Sequence, residues 1–410
     1  MRAPPRALSF TLALCLAEIL GMAGTMAFPA LLPVFSSQWA LSATQAGWLN
    51  GIFQAGYVAA VPVLVTLTDR VDPRRVYLAS TALAAVSLAG FALLADGFWT
   101  ALAFRLAGGV ALAGTYMPGL RILGDHVGGP RQSRYLSFYT ASFALGSAGS
   151  VLLAGLAGEA WGWRAAFAAS ALATLAALAI VLRTVPAAPP GPRGPQGALL
   201  DFRPVLRNRP AMGYILAYAA HCWELFGFRA WIVAFLAFAA ALEAGTGEAA
   251  SVPPLVTALA TGVLLLGMPA SVLGNEAAMR WGRHRVLCTV MLLSAALACV
   301  VGFTAGLPLW AVAAVAALYG VTVNLDSASL TVGVVGAAGE ARRGATMAVH
   351  SLLGFGAAFL GSVAFGAVLD AAGGGTSRAA WGLAFAALGA VVALGPLALV
   401  WSARPLRSAD

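Results

Sequence analysis

A few ionisable side chains lie inside long apolar segments of this sequence, where a charged group is energetically unfavourable. Glu18, Glu224 and Asp326 are acidic, Arg105 is basic, and all four have mainly apolar neighbours. A charged residue at the centre of a membrane helix costs roughly 2.5–3.5 kcal/mol on insertion scales, so it usually serves a function. We therefore take these residues as candidates for proton or substrate binding.

Glu18 is the leading candidate for a proton-binding group. It lies about eleven residues into the first apolar segment, or ~16 Å along a helix that rises 1.5 Å per residue. This distance places it near the middle of a bilayer. A carboxyl group in that position can bind and release a proton, as proton coupling requires. The alternative is a carboxylate held permanently by a structural partner.

A second polar group lies in the seventh apolar segment. Glu224 and His221 are three residues apart, which places their side chains on one face of a helix. Because histidine titrates near neutral pH, the pair is a candidate for a second protonation or substrate site. An internal hydrogen bond is the alternative. The residues predicted to line a substrate cavity are His221, Asn324, Asp326 and His350.

The composition shows that these residues are positioned by membrane helices. The 410 residues are 60% hydrophobic and only 10% charged, with a mean hydropathy of +0.86. Soluble domains carry about 25% charged residues, so a water-soluble fold is excluded. Twelve apolar segments are long enough to cross a bilayer as helices. They lie at approximately 8–34, 45–66, 75–95, 98–121, 134–157, 163–184, 211–239, 252–274, 285–305, 308–331, 343–369 and 379–402.

A stretch rich in proline and glycine, 185–210, divides these segments into two sets of six. Such a composition favours an extended linker over a helix. We therefore predict an all-α membrane protein with one six-helix bundle over 1–184 and another over 211–410. The halves also share short sequences, since EILG at 18–21 is matched by ELFG at 224–227. This repeat indicates two bundles related by a pseudo-two-fold axis along the membrane normal.

Arginine determines the predicted orientation. The net charge is +9, and all 24 basic residues are arginine. All but Arg105, Arg164, Arg229 and Arg378 fall on one side of the twelve segments, which the positive-inside rule makes cytoplasmic. We predict a multi-pass protein of the bacterial cytoplasmic membrane with both termini inside. Because the arginines are dispersed between apolar segments, we expect no nucleic-acid partner.

Three motifs resemble those of the major facilitator superfamily. The loop TDRVDPRR at 68–75 is similar to the superfamily signature GxLxDRxGRR, although Asp72-Pro73 replaces its glycine region. RLAGG at 105–109 resembles the RxxxG motif of the fourth helix, and WRAAF at 163–167 resembles the WRxxF start of the sixth. The resemblance covers essentially the whole chain. It implies two bundles that rock about a central site by alternating access.

The resemblance also suggests roles for particular charged residues. In many members a fourth-helix arginine approaches a first-helix carboxylate, so we expect Arg105 to pair with Glu18 until the carboxylate is protonated. A purely structural bridge is the alternative. Charged residues in the loops after the second and eighth segments are expected to link helix ends in one conformational state. These gate residues are Asp69, Arg70, Arg74, Arg75, Arg280, Arg283 and Arg285.

We predict a proton-coupled secondary transporter in which Glu18, Arg105 and Glu224 couple proton and solute movement. Its expected partners are a small solute, protons and the lipid bilayer, and the chain is expected to act as a monomer. The excess of buried acids over buried arginines favours cationic or zwitterionic solutes. No motif of phosphate-binding, metal-binding or hydrolytic sites occurs, so we expect no enzymatic activity, catalytic residues, cofactor or metal.

Two alternatives remain open at the level of sequence. One is a drug or metabolite exporter of the same fold, although GSAGS at 146–150 lacks the proline of the antiporter signature. The other is a membrane sensor that does not transport.

Overall fold

The computed structural model describes residues 5–68, 70–129, 131–187, 202–339 and 342–403. Asp69 and most of the predicted linker lie outside these ranges. The described residues form helices and turns without strands. The helices are α1 Pro5–Gly21, α2 Ala27–Ala30, α3 Leu32–Gln38, α4 Ala43–Leu67, α5 Pro73–Leu94, α6 Phe98–Ala113, α7 Tyr116–His126, α8 Gln132–Thr184, α9 Arg203–Arg207, α10 Arg209–Glu243, α11 Pro254–Leu265, α12 Gly267–Trp281, α13 Arg283–Val301, α14 Leu309–Leu325, α15 Ser327–Ala337, α16 Arg343–Ala371, α17 Arg378–Val392 and α18 Gly395–Ala403.

The number of spans agrees with the twelve predicted segments. Within the described ranges, ten helical stretches are long and apolar enough to cross a membrane, and α1 is a shorter apolar helix. The stretch Arg134–Thr184 contains 51 residues, about twice the length of one span. Its backbone leaves the helical region at Gly162, where φ is 83° and ψ is 163°. This stretch therefore supplies both the fifth and the sixth segments.

The first predicted segment differs from a single helix over 8–34. Turns follow Gly21, α2 contains only four residues, and α3 begins after Leu31. Pro29 and Pro33 explain the interruption, because proline has no N–H group to donate to the carbonyl four residues earlier. The break leaves backbone carbonyls available to a side chain, which matters for Arg105.

The described chain forms two compact units. Unit 1 contains Met1–Leu41, Trp48–Gln196 and Ala249–Leu265, and unit 2 contains Ser42–Gly47, Gly197–Glu248 and Leu266–Asp410. The main division falls in the predicted linker. Two short segments are exchanged, since the first turn of α4 packs in unit 2 and α11 packs in unit 1. The segment pattern in the sequence did not indicate this exchange.

Aromatic clusters connect the helices inside each unit. In unit 1, Phe91 and Phe167 stack with ring centroids 4.0 Å apart and join α5 to α8. In unit 2, Trp231 stacks on Phe365 at 5.0 Å, and Phe365 meets Phe385 edge-on at 4.9 Å. Such pairs contribute about 0.5–1.5 kcal/mol each beyond their area of contact. In lipid, tight packing of this kind stabilises helix association, and it fixes the helices that carry the candidate residues.

Candidate functional site

Glu18 forms a buried polar site in unit 1. Its side chain is 2% exposed, and its Oε2 atom accepts a hydrogen bond of 2.8 Å from the Tyr139 hydroxyl on α8. The other oxygen, Oε1, makes no hydrogen bond to any residue that the structure describes. Gly119 gives Tyr139 the room it needs, because a Cβ atom there would overlap the tyrosine hydroxyl.

Glu224 forms the corresponding site in unit 2. The residue is fully buried in α10, and its Oε1 atom accepts hydrogen bonds from Ser294 Oγ at 2.9 Å and Tyr319 Oη at 3.0 Å. Its Oε2 atom, like Oε1 of Glu18, makes no hydrogen bond within the described ranges. Each unit thus holds a carboxyl group with a tyrosine hydroxyl on one oxygen and, among the described residues, no hydrogen-bond partner on the other.

The two carboxyl groups share one electrostatic property. No ion pair among the described residues includes Glu18 or Glu224. A buried carboxylate without a cation is costly, even when neutral groups donate hydrogen bonds to it. Binding a proton removes that cost, so each group is suited to a change of protonation. Sequence reasoning missed Tyr139, Tyr319 and Ser294, because uncharged polar residues in apolar segments carry little insertion cost.

Arg105 is held by backbone carbonyls and not by Glu18. Its guanidinium donates from Nε to the Leu49 carbonyl at 3.0 Å, and more weakly to the carbonyls of Thr25 at 3.3 Å and Asn50 at 3.4 Å. Pro29 accounts for one of these partners, because it cannot donate to the carbonyl of Thr25 four residues earlier. The expected pair with Glu18 is not formed in this structure, since the interrupted first span and α4 present carbonyls that satisfy the guanidinium.

His221 pairs with Asp326 in unit 2. The Nδ1 atom of His221 lies 2.7 Å from Oδ1 of Asp326, and the two side chains are 1% and 3% exposed. Asp326 lies at the junction of α14 and α15, where it faces α10. The alternative of a hydrogen bond between His221 and Glu224 is not found among the bonds of the described residues. The structure therefore separates the two neighbours on α10 into different polar groups.

The other predicted cavity residues have contrasting surroundings. The His350 ring stacks on Tyr218 with centroids 3.7 Å apart, and Tyr218 also stacks on His221 at 5.7 Å. This contact brings both histidines to one aromatic ring. Asn324 donates to the Gly320 carbonyl of its own helix at 2.7 Å. Its amide is thus partly satisfied within its own helix.

The predicted gate residues divide into two classes. Arg74 donates to the Leu182 carbonyl at 3.0 Å and joins the start of α5 to the end of α8. Arg283 donates to the Ser329 carbonyl at 3.1 Å and joins α13 to α15. These bonds link helix ends inside units 1 and 2, respectively. The exposed members are Arg70, Arg75, Arg280 and Arg285, and Asp69 lies outside the described residues.

Residues 14–253 match the family described as the Major Facilitator Superfamily. The chain belongs to the major facilitator superfamily. Membership in this superfamily implies membrane transport. No curated protein matches the sequence.

Solved superfamily structures share the fold at low sequence identity. A bacterial homologue of the human lysosomal transporter Spinster, in an inward-facing and unoccupied conformation, gives a TM-score of 0.74 at 17% identity, over 98% of this chain and 96% of that one. The nucleoside transporter NupG gives 0.73 at 13% identity, over 98% of this chain and 100% of that one. The likeness extends over nearly the full length of all three proteins.

Two motifs of this superfamily member have clear packing roles in unit 1. A Cβ atom on Gly109, the last residue of RLAGG, would overlap the Phe53 carbonyl oxygen, so the glycine lets α6 approach α4. Trp163, the first residue of WRAAF, donates from Nε1 to Gln38 Oε1 at 2.8 Å. Phe167 completes the motif in the stack with Phe91. These motif residues hold helices of unit 1 together.

Proposed function

We propose that this superfamily member is a proton-coupled secondary transporter that moves a small solute across the bacterial cytoplasmic membrane. The observation that supports coupling is the pair of buried carboxyl groups, Glu18 and Glu224. Each has one oxygen bonded to neutral hydroxyl groups and one oxygen without a hydrogen bond inside the described chain. Such a group can accept a proton without first breaking an ion pair.

Proton binding would change the relative free energies of two conformations of the transporter, and so the population of each. In the protonated state each carboxyl group is neutral and tolerates a dry environment, whereas the anion favours a hydrated one. A conformation that hydrates Glu18 or Glu224 therefore favours proton release, and the present buried arrangement favours proton binding. A ligand shifts such an equilibrium by its difference in affinity for the two states. This difference is what couples the proton gradient to solute movement.

Arg105 has a positioning role in this proposal. Its hydrogen bonds tie α6 to α4 and to the turn after α1, the helix that carries Glu18. A movement of these helices would release the guanidinium from its carbonyl partners. The arginine would then be available to the carboxylate, and the pair expected from the resemblance would belong to another state of the cycle.

The solute proposal rests on unit 2. His221, Asp326 and His350 combine an acid, two imidazoles and the ring of Tyr218 in one cluster. A carboxylate beside aromatic rings favours a positively charged or zwitterionic group, since both attract cations. NupG transports nucleosides, but at 13% identity it shares the fold with this chain, so its substrate does not decide the assignment.

Transport by purified protein in liposomes tests the proposal. A pH indicator trapped inside would report proton movement when cations, zwitterions or nucleosides are added outside. We expect at least one cationic or zwitterionic solute to drive proton movement, and we expect Glu18→Gln and Glu224→Gln each to abolish it. Glu159→Gln is the matched control, because Glu159 is exposed on α8. Solute transport with unchanged pH dependence in both glutamine variants would refute coupling by these residues.

A further inference from the structure

Local side chains satisfy two backbone amides at the start of α4. Ser42 N donates to Gln45 Oε1 at 3.0 Å, and Gln45 N donates to Ser42 Oγ at 3.1 Å, which is a reciprocal capping box. Ala46 N donates to the Ser42 carbonyl at 3.0 Å. The first four amides of a helix have no partner within it. In α4 the local cap therefore does not pair the amides of Ala43 and Thr44, which need another acceptor.

Asp370, near the end of α16, supplies that acceptor. Its Oδ1 accepts from Ala43 N at 2.9 Å, and its Oδ2 accepts from Thr44 N at 2.7 Å and from Thr44 Oγ1 at 2.6 Å. Hydrogen bonds to a charged acceptor are short and strong. The carboxylate also lies at the positive end of the helix dipole. Three favourable contacts thus join residues that are more than 320 positions apart in the sequence.

The same two helices approach each other at backbone distance. A Cβ atom on Gly366 would overlap the Ala43 carbonyl oxygen, and one on Gly47 would lie 2.6 Å from the Ser362 carbonyl oxygen. Glycine contacts of this kind lack interlocking side chains, so they permit sliding as well as close packing. The Asp370 hydrogen bonds add a charged and directional interaction to this contact.

We propose that Asp370 is a conformational latch, which holds the first turn of α4 against α16 in this structure and releases it in another state of the cycle. Residues 42–47 pack in unit 2, whereas α4 continues into unit 1 from Trp48. Because α4 is one continuous helix from Ala43 to Leu67, a displacement of its main part pulls on this first turn. This inference rests on the proposed transport function, because a latch requires a conformational cycle. It does not require proton coupling.

The internal repeat provides a contrast that supports a specific role. The eighth segment, which begins with α11, corresponds to the second segment in the first half. It starts with Pro253 and Pro254, which have no N–H groups to offer a carboxylate. Inside unit 1, Gly155 of α8 contacts Thr257 of α11, so a close approach is present without a comparable anionic cap. The carboxylate latch therefore occurs at only one of the two corresponding helix starts in the described chain.

Hydrogen–deuterium exchange of the full-length protein tests the latch at a fixed pH without solute. We expect Asp370→Asn to raise exchange of a peptide covering 41–49 about tenfold, since one charged hydrogen bond is worth at least that factor. Thr44→Val keeps both amides and removes one bond, so its increase should be smaller. Asp96→Asn is the matched control, because the Asp96 carboxylate accepts from the nearby Thr100 hydroxyl, at 2.8 Å, and its loss should leave this peptide unchanged.

A latch and a local helix cap differ in their effect on hydrogen exchange at distant helix ends. Release of a latch shifts the whole conformational equilibrium, so Asp370→Asn should also change exchange in peptides covering 70–78 and 280–288. Unchanged exchange at 41–49, or a change confined to 41–49, would overturn the proposal. So would an Asp370→Asn protein that fails to fold while Thr44→Val exchanges like the parent. The same measurement in the Glu18→Gln variant separates the latch from proton coupling, because the latch effect should persist there.

Discussion

Tyr139 donates its hydroxyl hydrogen to Glu18 across 2.8 Å and joins α8 to α1. Tyr319 makes the same kind of bond to Glu224 in the other unit, at 3.0 Å. Neither tyrosine is charged. After the carboxyl group has released its proton, each tyrosine hydroxyl can still donate a hydrogen bond to the resulting carboxylate. The contacts of Glu18, Glu224, Arg105 and His221 lead to four testable expectations.

Tyr139→Phe should slow proton-coupled transport about tenfold. The substitution removes the donor that stabilises the Glu18 anion, and a hydrogen bond to a charged group is worth about 1.5–3 kcal/mol. Initial rates of solute-driven proton movement in liposomes provide the measurement. Tyr135→Phe is the control, since Tyr135 is a buried tyrosine one helical turn earlier on α8. Equal rates for the two variants would remove Tyr139 from the mechanism.

Ser294→Ala and Tyr319→Phe should destabilise the protein non-additively. Both residues donate to Oε1 of Glu224, so either donor alone still satisfies that atom. We expect about 1 kcal/mol for each single change and clearly more than the sum for the double change, because residues in one network are coupled. Unfolding transitions in detergent give the comparison. Ser362→Ala, which loses only an intrahelical bond, should have a small effect. Strict additivity would show that the two donors act independently.

Arg105→Lys should destabilise unit 1, and Pro29→Ala should partly rescue it. Lysine is a point charge and cannot reach several carbonyls as the planar guanidinium does. Alanine at position 29 restores an N–H group that can donate to the Thr25 carbonyl, one of the three acceptors of Arg105. Thermal unfolding of the single and double variants tests this relation. If Pro29→Ala lowers stability further in the Arg105→Lys background, the carbonyl argument is wrong.

His221→Asn should destabilise the protein more than the double change His221→Asn with Asp326→Asn. Removing one member of a buried pair leaves the other charge uncompensated, at a cost of about 3–5 kcal/mol, whereas removing both avoids that cost. The 2.7 Å contact and the near-complete burial of both side chains motivate this expectation. Unfolding transitions in detergent provide the measurement. A double variant that is less stable than His221→Asn would contradict the pairing.

Local patterns in the sequence were sufficient to predict the membrane architecture. The length of an apolar run decides whether a helix can cross a bilayer, and this property does not depend on neighbouring helices. The same applies to Glu18 and Glu224, because the cost of a mid-membrane carboxyl group is visible wherever its segment packs. The repeat placed both on the first helix of a six-helix set, and the structure has them there.

Only the tertiary structure decided which groups these residues contact. Arg105 was expected beside Glu18, but a proline-induced break and the adjacent α4 provide carbonyls that occupy the guanidinium instead. His221 contacts Asp326 and not Glu224, which is three residues away on its own helix. The amides at the start of α4 donate to Asp370, which lies more than 320 residues further along the chain. Partners of this kind depend on which helices are adjacent and on their register. The pattern of apolar and charged residues along the sequence specifies neither the adjacency of the helices nor their register.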